Sequence, residues 1–214
     1  MDQIDLQFDR PNPADLLTRL ELTASSAGIT GVSFRRGRGK TARTEAGPIG
    51  HILRQAREEL AEYLAGDRTF FSVPVELSQV PEFERAALEI ASQIPYGEVR
   101  SYKWIAERLG KPDAARAVGG AMAANPVPLI VPCHRVVKTD GGLGGYSFGL
   151  IQKEALLNLE RSTTPYVGCA STRIVCRRGC AHEQRIREGG RIHFAALADA
   201  KTGGYRPCQV CRPA

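Results

Sequence analysis

Asn125-Pro126-Val127-Pro128-Leu129-Ile130-Val131-Pro132-Cys133-His134-Arg135-Val136-Val137 is the stretch on which the reading of this chain turns. Its three prolines exclude a continuous helix. An extended, apolar-walled segment is expected, presenting Cys133 and His134 to whatever lies outside. Immediately before it, residues 114–124 (AARAVGGAMAA) read as a helix of almost entirely small residues. Immediately after it, residues 140–149 form a glycine-rich loop carrying Tyr146 and Ser147, and 150–160 returns to helix.

Further upstream the apolar spacing organises the chain. Ser101 suits the N-cap of a short helix through Leu109, and Gly110 and Pro112 make a turn before the small-residue helix. Helix, tight turn, helix is the layout of a helix-turn-helix. Phe83, Ala87, Leu88, Ile90 and Ala91 mark a helix over 83–93, broken by Pro95 and Gly97. Ile49, Leu53, Ala56, Leu60, Tyr63 and Leu64 mark an amphipathic core-packing helix over 49–65 that stops at Gly66. Residues 29–34 (ITGVSF) suit a strand, followed by a basic turn over 35–40. The uncharged stretch 163–168 suits a linker.

Charge and cysteine are both unevenly placed. Residues 1–164 hold 20 Lys+Arg against 20 Asp+Glu, so the whole +6 excess lies in residues 165–214, with 9 basic and 3 acidic side chains. A polyanion partner and a solvated basic surface both fit. No apolar run is long enough for a membrane span and the first five residues carry Asp2 and Asp5, so a cytoplasmic protein is expected. Cys133 stands alone in the first 164 residues, while Cys169, Cys176, Cys180, Cys208 and Cys211 crowd the tail. Close paired spacings in such a chain argue for metal before disulfide.

As bare chemistry, a Cys beside a His is either a nucleophile with its base or an inert buried thiol. In an extended segment neighbouring side chains point to opposite faces, which favours a bridging water over direct proton transfer and weakens a thiol-hydrolase reading. The glycine pair Gly119-Gly120 costs about 1 kcal/mol per residue in a helix interior. Close packing on a neighbouring helix is the first explanation, and close approach to a nucleic-acid groove the second.

Ile94-Pro95-Tyr96-Gly97-Glu98-Val99, Ser101-Tyr102, Arg116-Ala117-Val118-Gly119, Asn125-Pro126 and Pro132-Cys133-His134-Arg135-Val136 together resemble the signatures of O6-alkylguanine-DNA alkyltransferases. Gly144-Gly145-Tyr146, Lys153, Leu156-Leu157 and Glu160 continue the likeness. The resemblance implies irreversible, single-turnover transfer of an alkyl group from O6-alkylguanine, and from O4-alkylthymine, in double-stranded DNA to Cys133, with no cofactor for that step. It makes His134 a base acting through water, Glu160 the carboxylate that orients it, and Tyr102 a proton donor toward the guanine. Asn125 shapes the turn beneath. It also implies DNA contacts from Ser101, Ala115, Arg116, Ala117, Gly119 and Gly120, with Arg116 filling the place of a flipped nucleotide and the small residues entering the minor groove. Tyr146, Ser147 and the Val136 carbonyl would hold the base. Two positions depart from the family: Phe148 stands where Gly is common, which would narrow the pocket toward methyl groups, and Leu88 stands where Trp is common.

In the tail, Cys176-x3-Cys180 and Cys208-x2-Cys211, separated by 27 residues, offer four thiolates in two clamps, the donor set tetrahedral zinc prefers. The stretches Thr172-Arg173-Ile174-Val175-Cys176, Phe194-Ala195 and Gly204-Tyr205-Arg206-Pro207-Cys208 resemble the metal-binding domain of Ada-type proteins. That likeness implies Zn2+ at Cys176, Cys180, Cys208 and Cys211, and Cys176 as acceptor of a methyl from a DNA methylphosphotriester. Arg173, Arg177, Arg178, Arg185, Arg187 and Arg191 are the phosphate-contact candidates; Cys169 has no assigned role. Arg177-Arg178-Gly179 lacks the proline common after the first clamp cysteine, and a purely structural or DNA-anchoring zinc module is the alternative.

The expectation is therefore an α+β chain. It comprises a ribonuclease-H-like sheet region over 1–80, a helical alkyltransferase domain with helix-turn-helix over 81–163, and a small zinc-binding α+β module over 164–214, acting as a monomer without a membrane. A non-enzymatic damage sensor and a zinc-dependent regulator are the competing classes. The first lacks a reactive cysteine and the second needs a promoter-reading domain.

Overall fold

Strand β1 (Leu20–Ala24) pairs antiparallel with β2 (Ile29–Phe34), and α1 (Gly47–Ala65) lies against this hairpin with Ile52, Ala56, Leu60, Tyr63 and Leu64 turned inward. The computed structural model describes residues 19–34 and 47–213; the expected basic turn over 35–40 lies outside them. Ile49, assigned to the core by its spacing, is instead 42% exposed, in the first turn of the helix.

Helix α2 (Glu82–Ser92) follows, then β3 (Arg100–Ser101), α3 (Tyr102–Arg108) and α4 (Ala115–Ala123). The Ser101 hydroxyl caps α3 by accepting from Trp104 N at 3.0 Å. Val118, Ala121 and Met122 of α4 face the interior. One core joins the hairpin, α1 to α4 and the segment around Cys133, with Leu88 fully buried in it. Strand β4 (Val136–Val137) pairs parallel with β3, and α5 (Leu150–Thr163) closes this part.

The rest is a four-stranded sheet in the order β7 (Arg191–Phe194), β5 (Tyr166–Cys169), β6 (Ile174–Arg177), β8 (Arg206–Pro207), with α6 (Leu197–Thr202) packed beside it. Val175, Phe194, Leu197, Ala200 and Tyr205 form its own small core, beside a separate cluster of Cys176, Cys180 and Cys208. The chain is thus a mixed α+β protein. The expected linker over 163–168 is not one. Helix α5 runs to Thr163, β5 begins at Tyr166, and Thr164 between them is fully buried. An uncharged stretch with one proline looked like a connector, yet its Val167 has the alternating apolar character of a strand and packs at 0% exposure.

Candidate active site and metal centre

The segment around Cys133 is tighter than an extended chain. Cys133–Arg135 form a 3-10 turn entered from Pro132, with Arg135 N donating to Pro132 O at 2.9 Å. Proline forbids a helix interior but is tolerated at its start. The turn is set up by Leu129, which adopts φ +76°, a left-handed conformation that costs a non-glycine residue about 1–3 kcal/mol. Burial of Leu129 and the bond from Val131 N to Val127 O at 2.9 Å hold it there. Cys133 and His134 consequently lie inside the protein, 2% and 0% exposed, rather than presented outward. Side chains one residue apart on a 3-10 turn diverge by roughly 120°. Direct transfer between thiol and neighbouring imidazole is therefore still disfavoured, for a different geometric reason.

Asn125 braces both ends of this loop. Its Oδ1 accepts from Val127 N at 3.0 Å, and its Nδ2 donates to Val131 O at 3.0 Å and to Cys133 Sγ at 3.1 Å. Burial pushes the Cys133 thiol above its usual value, against the opposing pull of the Asn125 amide and the Lys153 ammonium. The resting sulfur keeps its proton.

Glu160, fully buried on the last turn of α5, gathers donors from four directions. Its Oε1 accepts from His134 Nε2 at 2.9 Å, Tyr63 Oη at 2.6 Å and Arg135 Nη2 at 2.9 Å; its Oε2 accepts from Gly97 N at 2.9 Å. Burial alone would raise this carboxyl, but the Arg135 charge and the hydrogen bonds from His134 and Arg135 outweigh it and hold the pKa at about 2. A carboxylate this well satisfied takes no proton, so it fixes the His134 tautomer with the hydrogen on Nε2. His134 Nδ1 is then a bare lone pair, and it is one of two buried side-chain polar atoms left without a protein partner among the described residues; Tyr146 Oη is the other. Burial lowers the His134 pKa, keeping the ring neutral and able to accept a proton.

Three members of this network had no role in the sequence reading. Arg135 neutralises Glu160 and also donates to Ile94 O at 2.6 Å. Tyr63 arrives from α1, 97 positions from Glu160, and its Oη also stands 3.1 Å from His134 Nε2. Lys153, fully buried, donates to Val136 O at 2.6 Å and Gly145 O at 3.2 Å, and burial lowers it to about 8 despite the pull of Cys133.

Tyr102 Oη is 3.5 Å from Gly145 O, and burial raises its pKa, so it holds its proton at neutral pH. The Tyr146 ring centroid lies 6.2 Å from that of His134 and 5.7 Å from that of Phe148, which in turn sits 4.2 Å from Phe34. Ser147 is exposed. The Val136 carbonyl already accepts from Lys153. On α4, Arg116, Ala117 and Gly120 are exposed and Ala115 and Gly119 half-buried. A Cβ added at Gly119 or Gly120 would meet nothing within 4 Å among the described residues, which argues against internal packing, the first explanation for the pair. The Ser101 hydroxyl, a predicted DNA contact, is engaged as the cap of α3.

In the tail, the sulfurs of Cys176, Cys180, Cys208 and Cys211 all lie within 4.8 Å of one another. Zn–S bonds of about 2.3 Å place tetrahedral sulfurs roughly 3.8 Å apart, so the cluster fits zinc. Burial, and then the neighbouring thiols, push Cys176 far up, a cost that a bound divalent cation relieves. Cys176 is also the one clamp cysteine lining a cavity of about 290 Å³, shared with Cys169, Thr172, His182 and Arg185. Of the six arginine candidates, Arg173 donates to Gly203 O at 3.2 Å, Arg191 pairs with Glu183, and Arg178 turns toward α5; Arg177, Arg185 and Arg187 remain on the surface.

A family model described as "6-O-methylguanine DNA methyltransferase, DNA binding domain" matches residues 82–162, and one described as "Metal binding domain of Ada" matches 158–214. Zn2+ is accordingly the cofactor of the tail module. A methylated-DNA–protein-cysteine methyltransferase of Mycolicibacterium paratuberculosis is 48% identical over 110 residues, 51% of this chain and 66% of the relative, just under two thirds of its length. One from Methanosarcina acetivorans is 39% identical over 142 residues, 66% of this chain and 90% of the relative. The crystal structure of Mycobacterium tuberculosis OGT in complex with DNA superposes with TM-score 0.59 at 37% identity, covering 67% of this chain and 87% of that one. With a relative matched over nine tenths of its length at this identity, the chain belongs to the methylated-DNA–protein-cysteine methyltransferase family.

Proposed function

We propose that this protein repairs alkylated double-stranded DNA by moving the alkyl group of O6-alkylguanine, or of O4-alkylthymine, onto Cys133. The observation that carries the proposal is a buried thiol held by the Asn125 amide, beside a histidine whose Nδ1 is unpaired and whose Nε2 is locked to an ionised carboxylate. The thiol proton passes through a water to His134 Nδ1, the Cys133 S–C bond forms as the alkyl C–O6 bond breaks, and the departing guanine takes a proton from the Tyr102 side. A thioether resists hydrolysis at neutral pH, so each molecule acts once.

A base inside a duplex must leave the stack to reach a buried sulfur. The exposed small-residue face of α4 supplies the close backbone approach a minor groove requires, with Arg116 placed to fill the gap in the stack and Tyr146, Ser147 and the Val136 carbonyl to hold the base. We divide the chain into a ribonuclease-H-like region over 1–80, the alkyltransferase domain over 81–163 and the zinc module over 164–214; the first two share one core, and the boundary at 164 is supported by the separate core of the tail. A monomer acting in the cytoplasm on the nucleoid fits this work. A damage sensor is the weaker reading, because Cys133 is present with its relay.

A second activity is favoured by the cavity at Cys176. Zinc bound by the four cysteines keeps sulfur nucleophilic at neutral pH. Cys176 opens on a space beside Arg185, fit for a neutral methylphosphotriester whose neighbouring phosphates are anionic. Both readings are tested by intact-protein mass and peptide mapping after incubation with duplex carrying either lesion. O6-methylguanine is expected to add one methyl to Cys133, retained in Cys176→Ala and absent in Cys133→Ala. Lesion binding without a mass increase would make the protein a sensor.

A further inference from the structure

Arg178 lies inside the first zinc clamp, between Cys176 and Cys180, yet its guanidinium serves the other domain. Its Nε donates to Thr164 O at 2.8 Å, and its Nη2 donates to Arg161 O and, at 3.2 Å, to Thr164 Oγ1. Its own backbone N–H donates to Pro165 O at 2.8 Å. Arg161 and Thr164 are the last turn and the C-cap of α5, where carbonyls have no partner within the helix and a cation is favoured by the helix dipole.

That turn begins at Glu160. Thr164 N donates to Glu160 O at 3.1 Å, so the cap that Arg178 holds is bonded to the residue that orients His134. Thr164 also reaches the second support of the carboxylate. Its methyl lies against Gly97, whose N–H holds Glu160 Oε2, and leaves no space for a side chain there, where φ is also +79°. His193 of β7 completes the contact, with Nδ1 3.2 Å from Thr164 Oγ1 and 3.3 Å from Arg178 Nη2. Hydrogen bonds therefore run from the zinc clamp to the Glu160 backbone, and a methyl contact runs on to the Gly97 backbone that holds its carboxylate.

We propose that Arg178 is a positioning residue for alkyl transfer at Cys133: through the α5 C-cap, the folded zinc module holds Glu160, and with it His134, in register. Zinc contributes to this by fixing the loop from which Arg178 projects. The inference rests on the alkyl-transfer reading for its effect on rate, while the mechanical link stands on the contacts alone.

The test uses the full chain as wild type, Arg178→Ala and Arg178→Lys, each with zinc and after chelation, with metal content measured throughout. Two quantities are read: amide hydrogen exchange at Gly97 and Thr164, and the single-turnover rate of Cys133 methylation at saturating O6-methylguanine duplex. Zinc-loaded Arg178→Ala is expected to exchange both amides at least several-fold faster. Its transfer should slow by on the order of tenfold at unchanged duplex affinity, less than the ~10² that an ångström of misplacement costs. Arg178→Lys, which can still meet the carbonyls, should recover most of the rate. Chelation should slow the wild type at least as much as Arg178→Ala does, because it also removes the His193 contact to Thr164. Wild-type exchange and wild-type rate in zinc-loaded Arg178→Ala would overturn the proposal. Should the wild type itself leave Cys133 unmethylated, the alkyl-transfer reading falls, and the exchange rates still decide the link.

Discussion

Cys133 and Cys176 are both buried sulfurs, 2% exposed, and they differ in everything that surrounds them. Around Cys133 stand one amide donor and one lysine, and next to it in the chain a histidine whose partner carboxylate is already neutralised by Arg135; burial keeps the sulfur protonated at rest. Around Cys176 stand three more thiols, which together make sense only around a cation. The first site is assembled from α1, the Asn125 loop and α5, and draws its stability from a large core. The second is assembled from two short loops above a core of five side chains. A nucleophilic thiol can thus be prepared by a proton relay that needs an extensive fold, or by a metal that replaces one.

The largest effect should come from breaking the second arrangement. Structural zinc supplies about 10–16 kcal/mol in small zinc-finger peptides, more than this module's core can provide. Chelation is expected to unfold residues 164–213 while α1 to α5 stay folded, as far-ultraviolet circular dichroism and amide exchange would report. A single concerted loss of both parts would show the two cores to be one cooperative unit.

Next in size is Glu160→Gln, which leaves Arg135 buried without its counter-charge. Breaking a buried pair from one side costs about 3–5 kcal/mol, measurable by urea unfolding, and transfer should fall with it because the His134 tautomer is no longer fixed. The same carboxyl makes the fold acid-sensitive. Its folded pKa of about 2 lies below the ordinary value of 4.5, so it contributes stability that is full above pH 4.5 and is lost as pH falls toward 2. In Glu160→Gln that segment of the stability curve should flatten. On the alkaline side the lowered Lys153, at about 8, predicts that transfer declines as pH rises through 8, since the ammonium that favours the Cys133 thiolate is then lost.

Tyr63→Phe is smaller and more telling. Its hydroxyl bonds Glu160 at 2.6 Å, worth about 1.5–3 kcal/mol for a bond to a charged group. The expected result is a several-fold slower single-turnover rate at unchanged duplex affinity, with nitrogen chemical shifts of the His134 ring reporting a mixed tautomer. An unaltered ring spectrum would reduce Tyr63 to core packing. That was the sequence reading of it, and the reason is physical: Tyr63 occupies an apolar position in a helical repeat, and its partner lies 97 residues away. The zinc clamps were legible because their ligands sit three and four residues apart, and the helices because their periodicity is local. Glu160 gained a role only from likeness to a family. Arg135, two residues after Cys133, was in plain view within the motif, but nothing local says that its charge points inward. The turn at Cys133 was misjudged because proline rules describe helix interiors and say little about a single 3-10 turn.

The smallest predicted change concerns which alkyl group the relay can serve. Phe148 packs between Phe34 of β2 and Tyr146, at centroid distances of 4.2 and 5.7 Å, and Tyr146 in turn meets His134 edge-on. This aromatic row makes the wall beside the base candidate stiff, since moving Phe148 aside would disturb Phe34 as well. Phe148→Gly should leave O6-methylguanine transfer within a few-fold of wild type and raise O6-benzylguanine transfer relative to it, read as two single-turnover rates on the same preparation. An unchanged ratio would place the limit on bulky groups elsewhere in the pocket. No change is expected at Cys176, where the neighbouring cavity shares none of these side chains.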